Sequence, residues 1–228
     1  MQKRCLEVRR LGRLAYADGL ELQKQLETDV IARRENDYLL LLEHPHTYTI
    51  GRRAKSGGVL ATAAMLKTLG AEVFEINRGG KVTYHGLGQL VGYPIINLSS
   101  YKEDVRKFVR DLEEVLMRTL KDFGIESFRM EGLTGVHTAE GKVAAIGVHI
   151  KRWVTTHGFA LNVNTDLNYY NWIIACEGEP VTSMDKLLGR EIDLTEVEDK
   201  IIKNFADVFE YEGRFQISDS KFQIGASI

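Results

Sequence analysis

Apolar runs of strand length, one long amphipathic helix, and a stretch of strands with no helix between them place this 228-residue sequence in the α+β class. We expect a mixed, largely antiparallel sheet flanked by helices. The strand-rich stretch is residues 135–163. There 135–138 and 143–150 flank the short turn Ala139-Glu140-Gly141-Lys142, and 153–163 continues as a further strand. Hairpins in series favour antiparallel pairing over a doubly wound sheet.

The elements follow in order. Leu6 and Val8 alternate with charged neighbours as an opening strand, and Leu20, Leu22, Leu26 and Val30 recur near helical spacing within 16–34. Residues 38–42 form a compact apolar run, read as a buried strand, which enters a loop at Glu43-His44-Pro45-His46 because proline demands an extended or turn conformation. Thr62 can cap a short helix that Gly70 stops, with a strand at 73–76 after it. Residues 90–96 are strand-like, and Pro94 predicts an edge or a bulge there, since proline cannot donate to a ladder. Ser100 is the expected cap of the clearest helix, in which Val105, Phe108, Leu112, Val115, Leu116, Leu120 and Phe123 recur at three- and four-residue steps before Gly124. Residues 166–174, 182–188 and 195–209 are further helix candidates. The tail 210–228 has no usable periodicity, and we expect a single domain over 1–228.

Composition narrows the function. Thirty Lys and Arg against 32 Asp and Glu give a net charge of -2, which offers no global attraction to nucleic acid or an anionic membrane. The charged N-terminus has no apolar signal core, and no run approaches the ~18 apolar residues of a membrane span, so a cytoplasmic location is expected. Six histidines are present without His-Glu-x-x-His or Cys-x-x-Cys spacing, so no metal site is expected. Neither a GxxxxGK[ST] phosphate loop nor a Gly-x-Ser-x-Gly elbow occurs.

Three places could carry chemistry. Residues 78–89, Arg78-Gly79-Gly80-Lys81-Val82-Thr83-Tyr84-His85-Gly86-Leu87-Gly88-Gln89, put four glycines among polar side chains between two expected strands. The density suits close approach to a ligand, with Arg78 and His85 orienting a polar group and Thr83 supplying a hydroxyl; a glycine-rich hairpin turn explains it equally. Cys176 sits where a short helix gives way to a loop, which suits an accessible thiol, although most intracellular cysteines are small buried hydrophobes, as Cys5 is expected to be. Lys142 stands at the hairpin hinge, ahead of the apolar Val143-Ala144-Ala145-Ile146-Gly147. Proton acceptance by a lysine there asks for desolvation, and the plainer role is an exposed turn residue.

These segments together resemble the octanoyl-carrier-protein:protein N-octanoyltransferases, the lipoate-protein ligase B family. Residues 43–53 look like the family's first loop and 78–89 like its signature. Gly141-Lys142-Val143-Ala144-Ala145-Ile146-Gly147, then Thr156-His157-Gly158-Phe159-Ala160-Leu161-Asn162, then Cys176 and Val181-Thr182-Ser183 follow in the family's order. Three departures are visible: Leu87 where the family carries proline, Ala175-Cys176-Glu177 where it carries Pro-Cys-Gly, and a cysteine loop shortened before Val181.

The resemblance implies the biotin protein ligase and lipoate ligase catalytic fold. It also implies transfer of an octanoyl group from the phosphopantetheine thiol of acyl carrier protein to a lysine of lipoyl domains, those of 2-oxoacid dehydrogenase E2 subunits and the glycine cleavage H protein. By the same resemblance Cys176 is the nucleophile and Lys142 the general acid and base. The acyl pocket falls on Arg78, Gly79, Gly80, Lys81, Val82, Thr83, Tyr84 and His85, on Ala145, Ile146 and Gly147, and on Gly158, Phe159 and Ala160, with His157 and Asn162 in support. No ATP, metal or other cofactor is expected, because the donor thioester is already activated; neither nucleic acid nor membrane is expected as a partner. The rival on this fold is an ATP-dependent lipoate or biotin ligase. A non-catalytic module that binds lipoyl domains is the alternative from another class. Carrier-protein docking is expected at Arg52-Arg53-Lys55, since carrier proteins are acidic.

Overall fold

A computed structural model describes residues 4–33, 36–54, 58–174, 179–211 and 215–219. Its main sheet runs in the order β10-β1-β2-β6-β9-β8-β7, where β1 is Cys5–Arg13, β2 Asn36–Glu43, β6 Gln89–Ile95, β7 Val136–Thr138, β8 Gly141–Lys151, β9 Val154–Asn162 and β10 Phe215–Asp219. β1 pairs in parallel with β2 and β10; the remaining neighbours are antiparallel. The sheet is therefore mixed and largely antiparallel, as expected.

Both faces are covered, which explains the unbroken apolar run of β2. Leu39 and Leu41 point into the larger core with Phe108, Leu112, Val115, Leu116 and Leu120 of α3 (Val105–Asp122) and Val197, Ile201 and Phe205 of α5 (Leu194–Val208). Leu40 and Leu42 point the other way, onto Leu22, Leu26 and Val30 of α1 (Tyr16–Arg33). A strand buried on both faces loses the alternation of a half-exposed one. Among the described residues no helix is long and apolar enough to cross a membrane.

A second, three-stranded sheet in the order β4-β3-β5 joins Glu72–Glu75, Thr47–Ile50 and Val82–His85, with a small core around Tyr48, Val82, Tyr84 and Ile173. Before β4 lies α2 (Ala63–Leu69), capped by Thr62 and ended by Gly70 in the left-handed conformation, as its sequence predicts. β3 occupies the stretch expected to be loop, and a third of the glycine-rich segment is strand β5.

Several expectations are corrected. Pro94 lies in an interior strand rather than at an edge. The β6–β9 ladder ends at Gly92–Phe159, two residues short of it, and Thr155 Oγ1 then bridges the gap, donating to Pro94 O at 2.7 Å and accepting from Ile96 N at 2.9 Å. Helix α3 is capped by Asp104, whose carboxylate accepts from Lys107 N; Ser100 ends a separate 3₁₀ turn. Residues 167–172 are 3₁₀ rather than α-helix, and α4 spans only Met184–Leu188. Strand β10 falls in the tail read as aperiodic and pairs in parallel with β1 at the edge of the sheet.

Candidate active site

Lys142 is the second residue of β8, and backbone bonds on both flanks fix its position. On one side it faces His137 of β7. On the other its N–H donates to Pro180 O at 2.9 Å and its carbonyl accepts from Thr182 N at 3.0 Å, so residues 180–182 run alongside as a short parallel seam. Its side chain is only 12% exposed, so Lys142 is not the free turn lysine the bland interpretation describes.

Space for that side chain depends on Gly135, at φ +124°. A Cβ there would lie 2.6 Å from Lys142 Cε and 2.5 Å from Ala144 O. Gly135→Ala combines a strained backbone with a steric clash. We expect about 1–3 kcal/mol of destabilisation in urea unfolding, and an unchanged midpoint would disprove the close fit.

Lys142 borders a cavity of about 190 Å³ between the two sheets. Its apolar wall is Val82 of β5, Ala145 and Ile146 of β8, and Phe159 and Ala160 of β9, with Gly147 and Gly158 beside them. Arg78, Gly80, Lys81, Thr83, His85 and His157 also line it. The structure thus brings together most of the expected pocket. Two members stand apart: Tyr84 packs into the small-sheet core, stacked on Tyr169, and Gly79 turns its N–H to Val148 O at 3.0 Å. Asn162 lines a smaller cavity of about 40 Å³ that shares Val82, Thr83, Ala145 and Lys142 with the first. Cys176 lies outside the described residues, within 175–178. The expected carrier-docking residues Arg52 and Arg53 are exposed, Arg53 on the cavity rim; Lys55 is outside the described residues.

A chain of hydrogen bonds ties the signature segment to Lys142. His85 Nδ1 pairs with Gln89 Oε1 at 2.9 Å; Gln89 Nε2 donates to Asn162 Oδ1 at 3.0 Å; Asn162 Nδ2 donates to Thr182 O at 3.0 Å, in the seam against Lys142. Because Gln89 presents its carbonyl oxygen, His85 carries its proton on Nδ1 and leaves Nε2 as a bare acceptor. Arg78 closes the opposite wall, donating to Gly79 O, Thr49 O and Thr49 Oγ1 at 2.7–2.9 Å. A Cβ at Gly147 would lie 2.9 Å from Gly79 O, so the loop sits directly on β8.

In the cavity wall and behind it is a group of buried histidines held neutral. Burial depresses His44 to about 4 and, together with Arg78 and His149, His157 to about 3; burial, His44 and Arg78 hold His85 well below its ordinary value. Burial likewise raises the Tyr16 and Tyr93 phenols, which also line the cavity. The His44 ring spans Leu14 O at 2.7 Å and Tyr93 Oη at 2.8 Å, so Nδ1–H donates to the carbonyl and Nε2 accepts from the phenol.

The unfolded chain takes up these protons near pH 6.5 while the folded chain refuses them. The stabilisation is whole above about pH 6.5 and is lost as pH falls toward 4, with roughly 3 kcal/mol from His44 alone. Urea midpoints measured from pH 7.5 to 4.5 should fall steeply below 6.5; a flat profile down to 5 would contradict the neutral, buried assignment.

Sequence reasoning missed Tyr16, Tyr93, His137 and Glu179. Tyr16 and Tyr93 carry no motif, and Glu179 is marked only by lying three residues after Cys176.

The sequence model of the lipoyl protein ligase A/B catalytic domain matches residues 15–206. The chain belongs to that family. Among lipoyl ligase A/B relatives, the octanoyltransferase of Solibacter usitatus (strain Ellin6076) is 50% identical over 213 residues, covering 93% of this chain and 96% of that protein. In three dimensions, lipoate-protein ligase A bound with ATP superposes with a TM-score of 0.73 at 16% identity, over 96% of this chain and 90% of its own. Biotin protein ligase from Aquifex aeolicus superposes with a TM-score of 0.50 at 13% identity, over 91% and 68%. At such identities the two structures establish the shared lipoyl ligase A/B fold, as the sequence resemblance implied.

Proposed function

We propose that this protein is an octanoyltransferase, acting in the cytoplasm as one domain, which moves an octanoyl group from acyl carrier protein to the lysine amine of lipoyl domains. The observation that carries this is the 50% identity to an octanoyltransferase across nearly the whole of both chains. Geometry supports it: the cavity is below the ~300–1,000 Å³ of sites for drug-sized ligands, has an apolar wall suited to a slim chain, and borders Lys142.

In the proposed mechanism Cys176 is the nucleophile. Three peptide units separate it from Glu179, a span of at most ~11 Å, and Glu179 Oε2 is 3.9 Å from Lys142 Nζ. In the first step the Cys176 thiolate attacks the donor thioester. As the new Sγ–C bond forms and the donor C–S bond breaks, the Lys142 ammonium gives its proton to the departing pantetheine thiolate. In the second step the acceptor's neutral amine attacks the enzyme thioester. Lys142 takes the amine proton, an amide forms, and Cys176 leaves as thiolate. Both residues return to their starting states, so no ATP is consumed.

The test is to incubate the protein with octanoyl-acyl carrier protein without ATP and measure its intact mass. We expect one octanoyl group, removed by hydroxylamine and passed to an added lipoyl domain. Loading that needs octanoic acid and ATP would support a ligase instead, and binding of lipoyl domain without loading would support a non-catalytic module. Carrier docking at Arg52, Arg53 and Lys55 belongs to the same proposal. Reversing those charges should raise KM for the carrier protein and flatten its salt dependence; unaltered salt dependence would exclude the patch.

A further inference from the structure

We infer that Glu179 is a positioning residue for Lys142 and that His137 holds Glu179 in place. Glu179 Oε2 lies 3.4 Å from His137 Nε2 and 3.9 Å from Lys142 Nζ, so one carboxylate oxygen faces both side chains. The side chains are sheltered, with exposures of 2% for His137, 15% for Glu179 and 12% for Lys142.

Backbone geometry sets these separations. His137 and Lys142 are cross-strand partners, and the residues after Glu179 are bonded along Lys142 by Pro180 O and Thr182 N. His137 is further clamped by two backbone bonds with Phe128, at 2.8 and 3.0 Å, and by that ring stacked on its own. Its Nδ1 is buried without a hydrogen-bond partner among the described residues. A buried orphan N–H is the rarer and costlier arrangement, so the proton belongs on Nε2, where it donates to Glu179. The carboxylate is thereby aimed by one neighbour at the other.

This inference rests on the proposed acyl transfer, and it separates the two half-reactions. The first begins with Lys142 as an ammonium, which a carboxylate at this distance attracts and holds in place. The second begins with the neutral amine, on which the same carboxylate has little electrostatic grip. A residue that merely supports the fold would affect both steps alike.

The experiment measures the steps separately on the full chain: loading by octanoyl-acyl carrier protein, and discharge of the loaded enzyme to a lipoyl domain. Glu179→Gln keeps the shape and removes the charge. It should slow loading about tenfold and change discharge by less than about twofold. Glu179→Asp should recover part of the loading rate, and His137→Phe should slow loading in the same selective way. Equal slowing of both steps, or no slowing of loading, in variants that keep the parent unfolding midpoint would overturn the assignment. If Gln does not fold, the Asp and Phe variants decide on the same criterion. Absence of loading by the unaltered protein would instead remove the octanoyl-transfer reading, and this inference with it.

Discussion

Lys142→Ala is expected to lower octanoyl transfer by about 10²–10⁴-fold, the usual contribution of a positioned general acid or base. The fold should tolerate it. Among the described residues the ammonium makes one ion pair, at 3.9 Å, and no hydrogen bond, whereas the bonds that anchor this point of β8 belong to the backbone and survive truncation. The urea midpoint should therefore stay close to that of the parent while both half-reactions collapse, which sets this variant apart from the selective effect expected at Glu179. Cys176→Ser should in parallel abolish the hydroxylamine-labile adduct. Undiminished labelling of that variant would shift the nucleophile to Cys5, in β1. A Lys142→Ala enzyme with more than a tenth of parental activity would end the proton-transfer role.

Where period and burial agreed, the fold was legible. The run Leu39-Leu40-Leu41-Leu42 is apolar without alternation because α1 covers one face of β2 and α3 with α5 the other. Helix α3 could be read from its three- and four-residue spacing, and the β7–β8 hairpin from its turn. Strand β3 could not be read: its buried Thr47 and Thr49 are polar and follow Pro45, so four strand residues look like loop. The resemblance implies Tyr84 in the pocket with the rest of 78–85, yet the structure turns it toward Tyr48 and Tyr169. The expected site follows from motif order. What order cannot supply is the hydrogen-bond chain from His85 through Gln89 and Asn162 to Thr182, which joins three separate segments and gives Gln89 and Asn162 a physical purpose. His137 and Glu179 stayed hidden for the same reason, since they meet only across the seam against Lys142.

Arg78→Met should be the most damaging single change in the pocket wall. Arg78 is 7% exposed, and its guanidinium donates to Thr49 O and Oγ1 across the gap between the signature loop and β3, and to Gly79 O within the loop. Methionine fills much of the volume and makes none of these bonds, leaving Thr49 Oγ1 buried without the guanidinium donor. Hydrogen bonds from a charged group contribute about 1.5–3 kcal/mol each, and an unsatisfied buried acceptor adds to the loss, so roughly 3–5 kcal/mol of destabilisation is expected in urea unfolding. The charge acts at a distance too, because Arg78 helps to hold down His85 and His157. Without it both rings accept protons more readily, although burial still keeps them low. The variant should therefore lose less stability than the parent as pH falls from about 5 toward 3, where the folded rings begin to take up protons, even while starting from a lower value. An Arg78→Met protein with parental stability would show that the loop is held by packing alone; one with a parental pH slope would show that the guanidinium charge does not reach the histidines.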